Sequence, residues 1–248
     1  MLKTRILLLI GIGLFMVLLF LTPSFLPPKA VPVLDLSAKA EEKVTKEVKE
    51  KKKITSVQWK GNIYRDLETH YYHFSTTKKG TIHVTWGPNT DGSDFIITDQ
   101  NWGSMYGNGD VLPAGDYMFV VTSNPIESPE DPSLLTYEFT LKGLLFKAAP
   151  ITTLPQLTIE SPVNLVTHLP EGDHTITFKG RSDADFLLFG ASGFGDEVTE
   201  SLTSSFEKHL VFNEKSPAYN FYRITATNEA GNAVNRYFEV LYEGGIRE

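Results

Sequence analysis

From residue 54 onward apolar side chains recur at every second position, and that period constrains the fold more than any other feature of the chain. Tyr72 and Phe74, then Ile82, Val84 and Trp86, alternate with Tyr71, His73, Ser75, Thr81, His83 and Thr85. Successive side chains of an extended strand point to opposite faces, so each run has one apolar and one polar face. Lys78-Lys79-Gly80 interrupts the alternation and predicts a hairpin joining the two runs. Residues 95–97, 116–122 and 135–141 read as further strands. The second of these is entered through Leu112-Pro113-Ala114-Gly115, whose Pro and Gly suit a tight turn.

A second series of strands follows a proline-flanked joint, Ala148-Ala149-Pro150 to Leu154-Pro155. It comprises Leu157 and Ile159, then residues 175–178, 186–189, 206–212, 221–226 and 237–241. Residues 226–232, ATNEAGN, have the Asn and Gly content of a hairpin connection that tolerates positive φ. Short strands separated by turn signals read as β-sandwiches. The expected body is therefore all-β: two tandem β-sandwich domains, residues 54–147 and 154–248.

The N-terminus is of another kind. Lys3 and Arg5 precede residues 6–21, which are apolar and carry no charge. Positive charge before such a run holds the N-terminus in the cytoplasm and sends the remainder across the membrane. Residues 6–21 span about 24 Å as a helix, against a hydrocarbon core of about 30 Å. Extension to Leu26 closes the gap if Thr22, Pro23 and Ser24 lie at the outer interface. The expectation is a signal anchor over residues 1–26, with a single-pass membrane location and the body outside the cell. The alternative is a cleaved signal peptide and a secreted protein, since Ala38-Lys39-Ala40 has the small-x-small form of a cleavage site ending at Ala40. Residues 27–53 read as a stalk: Pro27, Pro28 and Pro32 enforce extended chain, and the Lys/Glu-rich stretch after them has only Val44 and Val48 as a repeated apolar pair.

Composition narrows the partners. A net charge of −7 opposes binding to phosphate backbones, so nucleic acid is not an expected partner. With no cysteine there is no disulfide framework, thiolate metal site or cysteine nucleophile. The expected partners are the membrane, through the N-terminal helix, and a cell-wall polymer or surface protein.

Two family resemblances follow from these motifs. The order HYYHFSTTKKGTIHVTW, GSDFIITD, LPAGDYMFVVTS, LLTYEFTLK resembles the bacterial pre-peptidase C-terminal (PPC) domain, a jelly-roll-like β-sandwich appended to secreted hydrolases. The segments LTIESP and YRITATNEAGN resemble bacterial immunoglobulin-like modules of surface and secreted proteins. The first resemblance implies a module that assists secretion or substrate contact, although no protease unit accompanies it here. The second implies a spacer, an adhesion unit or an accessory module.

The candidate sites are few. Asp91, Asp94, Asp99 and Asp110, with Asn89, Asn101 and Asn108, surround a Gly-rich loop and supply the oxygen ligands that calcium takes. The same residues are also ordinary turn formers. His73 and His83 could share a metal if their strands were neighbours, whereas His70 should face the other way. Trp59, Trp86 and Trp102 with Tyr71 and Tyr106 could form a sugar-stacking platform; Trp86 falls on the inward face, while Trp102 and Tyr106 sit in a loop and are the ligand-binding candidates. No G-x-S-x-G, H-E-x-x-H or P-loop pattern occurs, and Ser192 in GASGFG lacks an evident base. The expected function is a non-catalytic binding or scaffolding protein of the bacterial cell surface. The alternative is an accessory subunit or cryptic hydrolase acting on cell-wall polysaccharide or protein.

Overall fold

A computed structural model describes residues 53–88, 90, 92–123, 133–192 and 198–246. The N-terminal segment, the stalk, Asn89 and Asp91 lie outside the described residues, and there is no helix among those described. Residues 54–248 form one compact unit.

Its first strands are β1 (Ser56–Tyr64), β2 (Glu68–Lys78), β3 (Gly80–Thr81), β4 (His83–Trp86), β5 (Ser93–Asp99), β6 (Met105–Tyr106), β7 (Val111–Leu112), β8 (Gly115–Ser123), β9 (Leu134–Lys142) and β10 (Leu145–Phe146). Then come β11 (Leu157–Ser161), β12 (Val166–Leu169), β13 (His174–Ser182), β14 (Phe186–Ser192), β15 (Val198–Ser201), β16 (Ser205–Phe212), β17 (Tyr219–Thr227) and β18 (Ala233–Tyr242). The architecture is β-sandwich-like. One ten-stranded sheet runs β15-β14-β17-β18-β2-β8-β5-β6, with β10 beside β2 and β12 beside β18. Two three-stranded sheets, β1-β9-β4 and β11-β13-β16, supply a second layer, and β3 pairs with β7.

Register places both small sheets on the same face of the long one. Tyr72, Phe74 and Phe119 point inward; Trp59 of β1 stacks on Tyr72 at 5.4 Å and on Phe119 at 4.5 Å. His70 and Glu68 of β2 lie opposite Val234 and Arg236 of β18. Phe238, two residues further along β18, therefore shares that face, where it meets Phe178 of β13 at 5.1 Å. The aromatic side chains expected from the period-two pattern thus fill two cores, one under each small sheet.

The two strand series meet directly. β2 and β18 pair antiparallel over residues 68–71 and 233–236, so one hydrogen-bonded sheet passes through both. Beyond this short seam, the Asn232 carboxamide stands in for a strand residue: its oxygen accepts from the His73 N–H at 2.8 Å. Its Nδ2 donates to the Ile151 and Thr153 carbonyls of the joint, each at 3.0 Å. The joint is thereby tied to the β17–β18 turn. That turn is the hairpin expected from ATNEAGN: Thr227 lies opposite Ala233, and Gly231 sits at φ +82°.

The expected hairpin across Lys78-Lys79-Gly80 does not form. β2 belongs to the long sheet and β4 pairs with β9 in the small one, so the chain crosses between layers at this break. Alternation reports which face is apolar and does not distinguish a hairpin from a corner. The crossing is tight: a Cβ on Gly143 (φ +87°) would lie 2.1 Å from the Thr81 carbonyl oxygen, so only glycine fits. β1, which sequence reading had not assigned, buries Val57, Trp59 and Ile63 by the same alternation.

Asn232→Ala would remove three hydrogen bonds to backbone groups at a fully buried position, although the Thr153 carbonyl keeps the Asn228 amide at 3.2 Å. Chemical denaturation is expected to show a loss of about 2–3 kcal/mol, and limited proteolysis faster cutting around residues 148–155.

Candidate functional site

A buried polar cluster sits where the seam ends. Glu68 and His70 share the inward face of β2 with Tyr72, and both are almost fully buried. Glu68 Oε1 lies 3.0 Å from His70 Nε2 and 3.1 Å from Arg236 Nη2, while Oε2 accepts from the Tyr64 N–H at 3.1 Å. With His70 Nε2–H donated to Glu68, Nδ1 accepts from the Tyr137 hydroxyl at 2.7 Å, which is in turn 2.5 Å from that of Tyr72. Burial works against the Glu68 charge, but the hydrogen bond from His70, the Arg236 charge and the Tyr64 N–H outweigh it and hold its pKa below the ordinary value. Burial raises both phenols, Tyr72 to about 12.

Arg236 reaches all three principal sheets. Besides Glu68 in the long sheet, its guanidinium lies over the Tyr64 ring of β1 at 4.8 Å, and Nη1 is 3.4 Å from the Leu157 carbonyl of β11. A carboxylate, an imidazole and two phenols in sequence make a proton-conducting chain in chemical terms. Both phenol-bearing residues at its far end are fully buried, so the chain ends in the core. The arrangement holds strands together.

Of the residues expected to bind ligand, Trp102 and Tyr106 lie on opposite faces of the long sheet. Tyr106 is edge-on to Tyr117 at 5.9 Å, against the inner core. Trp102, at φ +57°, meets Tyr71 edge-on at 6.3 Å, against the outer cluster of Tyr71, Met118, Val120 and Ala233. The two rings therefore make no common platform. Tyr71, expected on a polar face, is buried within that cluster. Trp59 is core, as its neighbours require. Trp86 does face inward, against Phe95 at 5.5 Å and Phe139 at 6.0 Å, but β4 is a sheet edge and leaves it 49% exposed.

The described carboxylates of the calcium candidate hold backbone turns. Asp99 Oδ1 accepts from the N–H groups of Asn101 at 3.0 Å and Gly103 at 2.9 Å, Asp110 from Gly107 at 2.7 Å, and Asp94 from Phe95 at 2.8 Å. Asp91 lies outside the described residues. Asn108, from the same loop, brackets edge strand β4, accepting from the Val84 N–H and donating to its carbonyl. His73 and His83 belong to different sheets, so the shared site imagined on neighbouring strands is not formed. Among the described residues no set of three His, Asp or Glu is placed to hold a metal ion. An open groove of about 800 Å³ at the far end of the second series is rimmed by exposed Glu171, Asp173, Glu214, Lys215 and Glu243.

Sequence reading missed Glu68 and Arg236. The signal was present: Glu68 and His70 fall on the same parity as Tyr72 and Phe74, and Arg236 on that of Phe238 and Val240. Ionisable residues at core-facing positions need a buried partner.

No family model matches the chain, and no curated protein sequence does. Among solved structures it matches the β-glucuronidase of Lactobacillus rhamnosus, at 10% identity and a TM-score of 0.21, over 76% of this chain and 35% of that one. The chain thus spans about a third of that enzyme's length.

Two substitutions separate core from rim. Trp59→Ala is expected to cost about 3–5 kcal/mol in equilibrium unfolding, and Trp86→Ala under about 1.5 kcal/mol. Asp99→Ala should lower stability by about 1 kcal/mol in calcium-free buffer, because the lost bonds are to backbone N–H groups. A loss seen only with millimolar calcium would instead assign that carboxylate to an ion.

Proposed function

We propose that the chain is a membrane-tethered or secreted protein of the bacterial cell surface that binds or scaffolds without catalysing a reaction. In this reading residues 54–147 are a PPC-like, jelly-roll-like sandwich and residues 154–248 an immunoglobulin-like one. Residues 1–26 carry the body across the membrane, and residues 27–53 hold it away from the surface. The observation that supports it most is the seam. Pairing of β2 with β18 and the Asn232 clamp on the joint join the two strand series in one hydrogen-bonded body. A protein that presents surfaces needs such fixed relative placement. The polar groups buried at the seam bind one another: Glu68 meets Arg236 and His70, and Tyr137 meets His70 and Tyr72.

The natively expressed full chain is expected to fractionate with membranes, to begin at Met1, and to be digestible by protease added outside the cell. Incubated with insoluble peptidoglycan or surface polysaccharide, it should be retained without releasing soluble fragments. A mature chain starting at Glu41 in the medium would replace the tether with secretion. Steady release of soluble sugar or peptide would replace the binding reading with a hydrolase.

A further inference from the structure

The seam is short for the load it carries. β2 and β18 share four aligned pairs, whereas β18 shares nine with β17 and β2 shares seven with β8. Each side has its own aromatic core: Trp59, Tyr72, Phe119 and Phe139 in the first series, Phe178, Phe189, Tyr222 and Phe238 in the second. Separation at the seam would leave both cores packed. Among the described residues the buried ion pair that crosses it is Glu68–Arg236, with side chains 3% and 14% exposed. The other inward cross-seam position is the neutral pair His70–Val234, and the outward ones carry Tyr71, Thr69, Ala233 and Asn235.

We propose that Glu68 and Arg236 form an acid-released latch: protonation of Glu68 frees the two sandwiches to part at the β2–β18 seam while each stays folded.

The chemistry follows from what surrounds the carboxylate. The titratable and charged groups facing it are His70 and Tyr72 on β2, Tyr137 on β9, Tyr64 on β1 and Arg236 on β18. A buried guanidinium cannot neutralise itself, so protonating Glu68 leaves Arg236 charged, buried and beside an imidazole, with the charge of its carboxylate partner gone. Truncating one partner of a buried pair costs far more than the pair contributes, and the cheapest remedy is to rehydrate Arg236 by opening the seam. On the outer face the Asn235 amide donates to the Tyr71 and Tyr237 hydroxyls at 3.3 and 3.4 Å. A phenol is neutral in acid, so neither tyrosine offers a compensating charge.

The sign is fixed by the direction of the Glu68 shift. A carboxyl held below its ordinary value of 4.5 stabilises the closed seam fully above that pH, and the contribution disappears as pH falls through the lower, folded value.

The chain has no cysteine, which makes site-pair labelling direct. Spin labels at Lys142→Cys on β9 and Val211→Cys on β16, both exposed, report the separation of the two small sheets. The test uses the full chain in detergent. The distance distribution is expected to hold from pH 7 to about 5 and to lengthen and broaden reversibly below about 4.5, with near-ultraviolet circular dichroism still native. Glu68→Gln should show the open distribution already at pH 7 and lose the pH response. Cleavage around residues 148–155 should rise in parallel with the change in distance. Distances constant in wild type down to the pH at which the aromatic dichroism collapses would overturn the latch. So would a wild-type transition that a folded Glu68→Gln chain reproduces unchanged. Should Glu68→Gln fail to fold, the wild-type titration decides alone.

Discussion

The guanidinium of Arg236 is the point at which the body's sheets depend on one another. It rises from β18 in the long sheet, pairs with Glu68 of β2, lies over a ring of β1 and reaches a carbonyl of β11. Burying two charges carries a desolvation penalty that their attraction alone seldom exceeds, so such a pair is weak evidence of net stability. Its stronger effect is on register. A one-residue slip of β2 against β18 would turn Glu68 and His70 toward the outer face and leave Arg236 alone in the core. Arginine suits the position because its planar fork meets a carboxylate and a ring at once, which an ammonium does not do as well.

The outer side of the same seam is held by different means. Trp102 packs on a cluster that joins Tyr71, Met118 and Val120 of the first strand series to Ala233 of the second, from a backbone conformation that a bulky residue seldom adopts. The turn that supports it is pinned by Asp99, whose carboxylate collects two N–H groups. A loop that looked like a ligand site from its Asp, Asn and aromatic content is, in its described part, a brace across the seam. The free edges are managed locally too. Asn108 brackets β4, and Lys208, pointing inward from edge strand β16 over Phe189, pairs with Glu200 of β15 across the open side of the second strand series. Charges turned inward on edge strands discourage pairing with other chains.

Much of this fold was legible in the residues. Alternation identified most of the long strands, the ATNEAGN turn and the inward faces of Tyr72, Phe74, Val84 and Tyr137, because a strand's side chains alternate whatever lies beside it. It also placed Glu68, His70 and Arg236 on core-facing parity, although their meaning was overlooked. The failures have one cause. Lys78-Lys79-Gly80 reads the same whether the next run pairs with the last or crosses to another layer. Trp86 has inward parity, but only its place on an edge strand exposes it.

What the sequence by itself determined is therefore local: extended chain, the two faces of each strand, and the turns where Gly, Asn and Pro relieve steric conflict. Tertiary structure alone decided the pairing. Glu68 meets Arg236 across 168 positions, and Asn232 meets the His73 N–H across 159. Backbone hydrogen bonds between strands are chemically alike, so no local preference names the partner. The choice falls to the arrangement that packs most inward rings into the two cores and gives the buried Glu68 a cation.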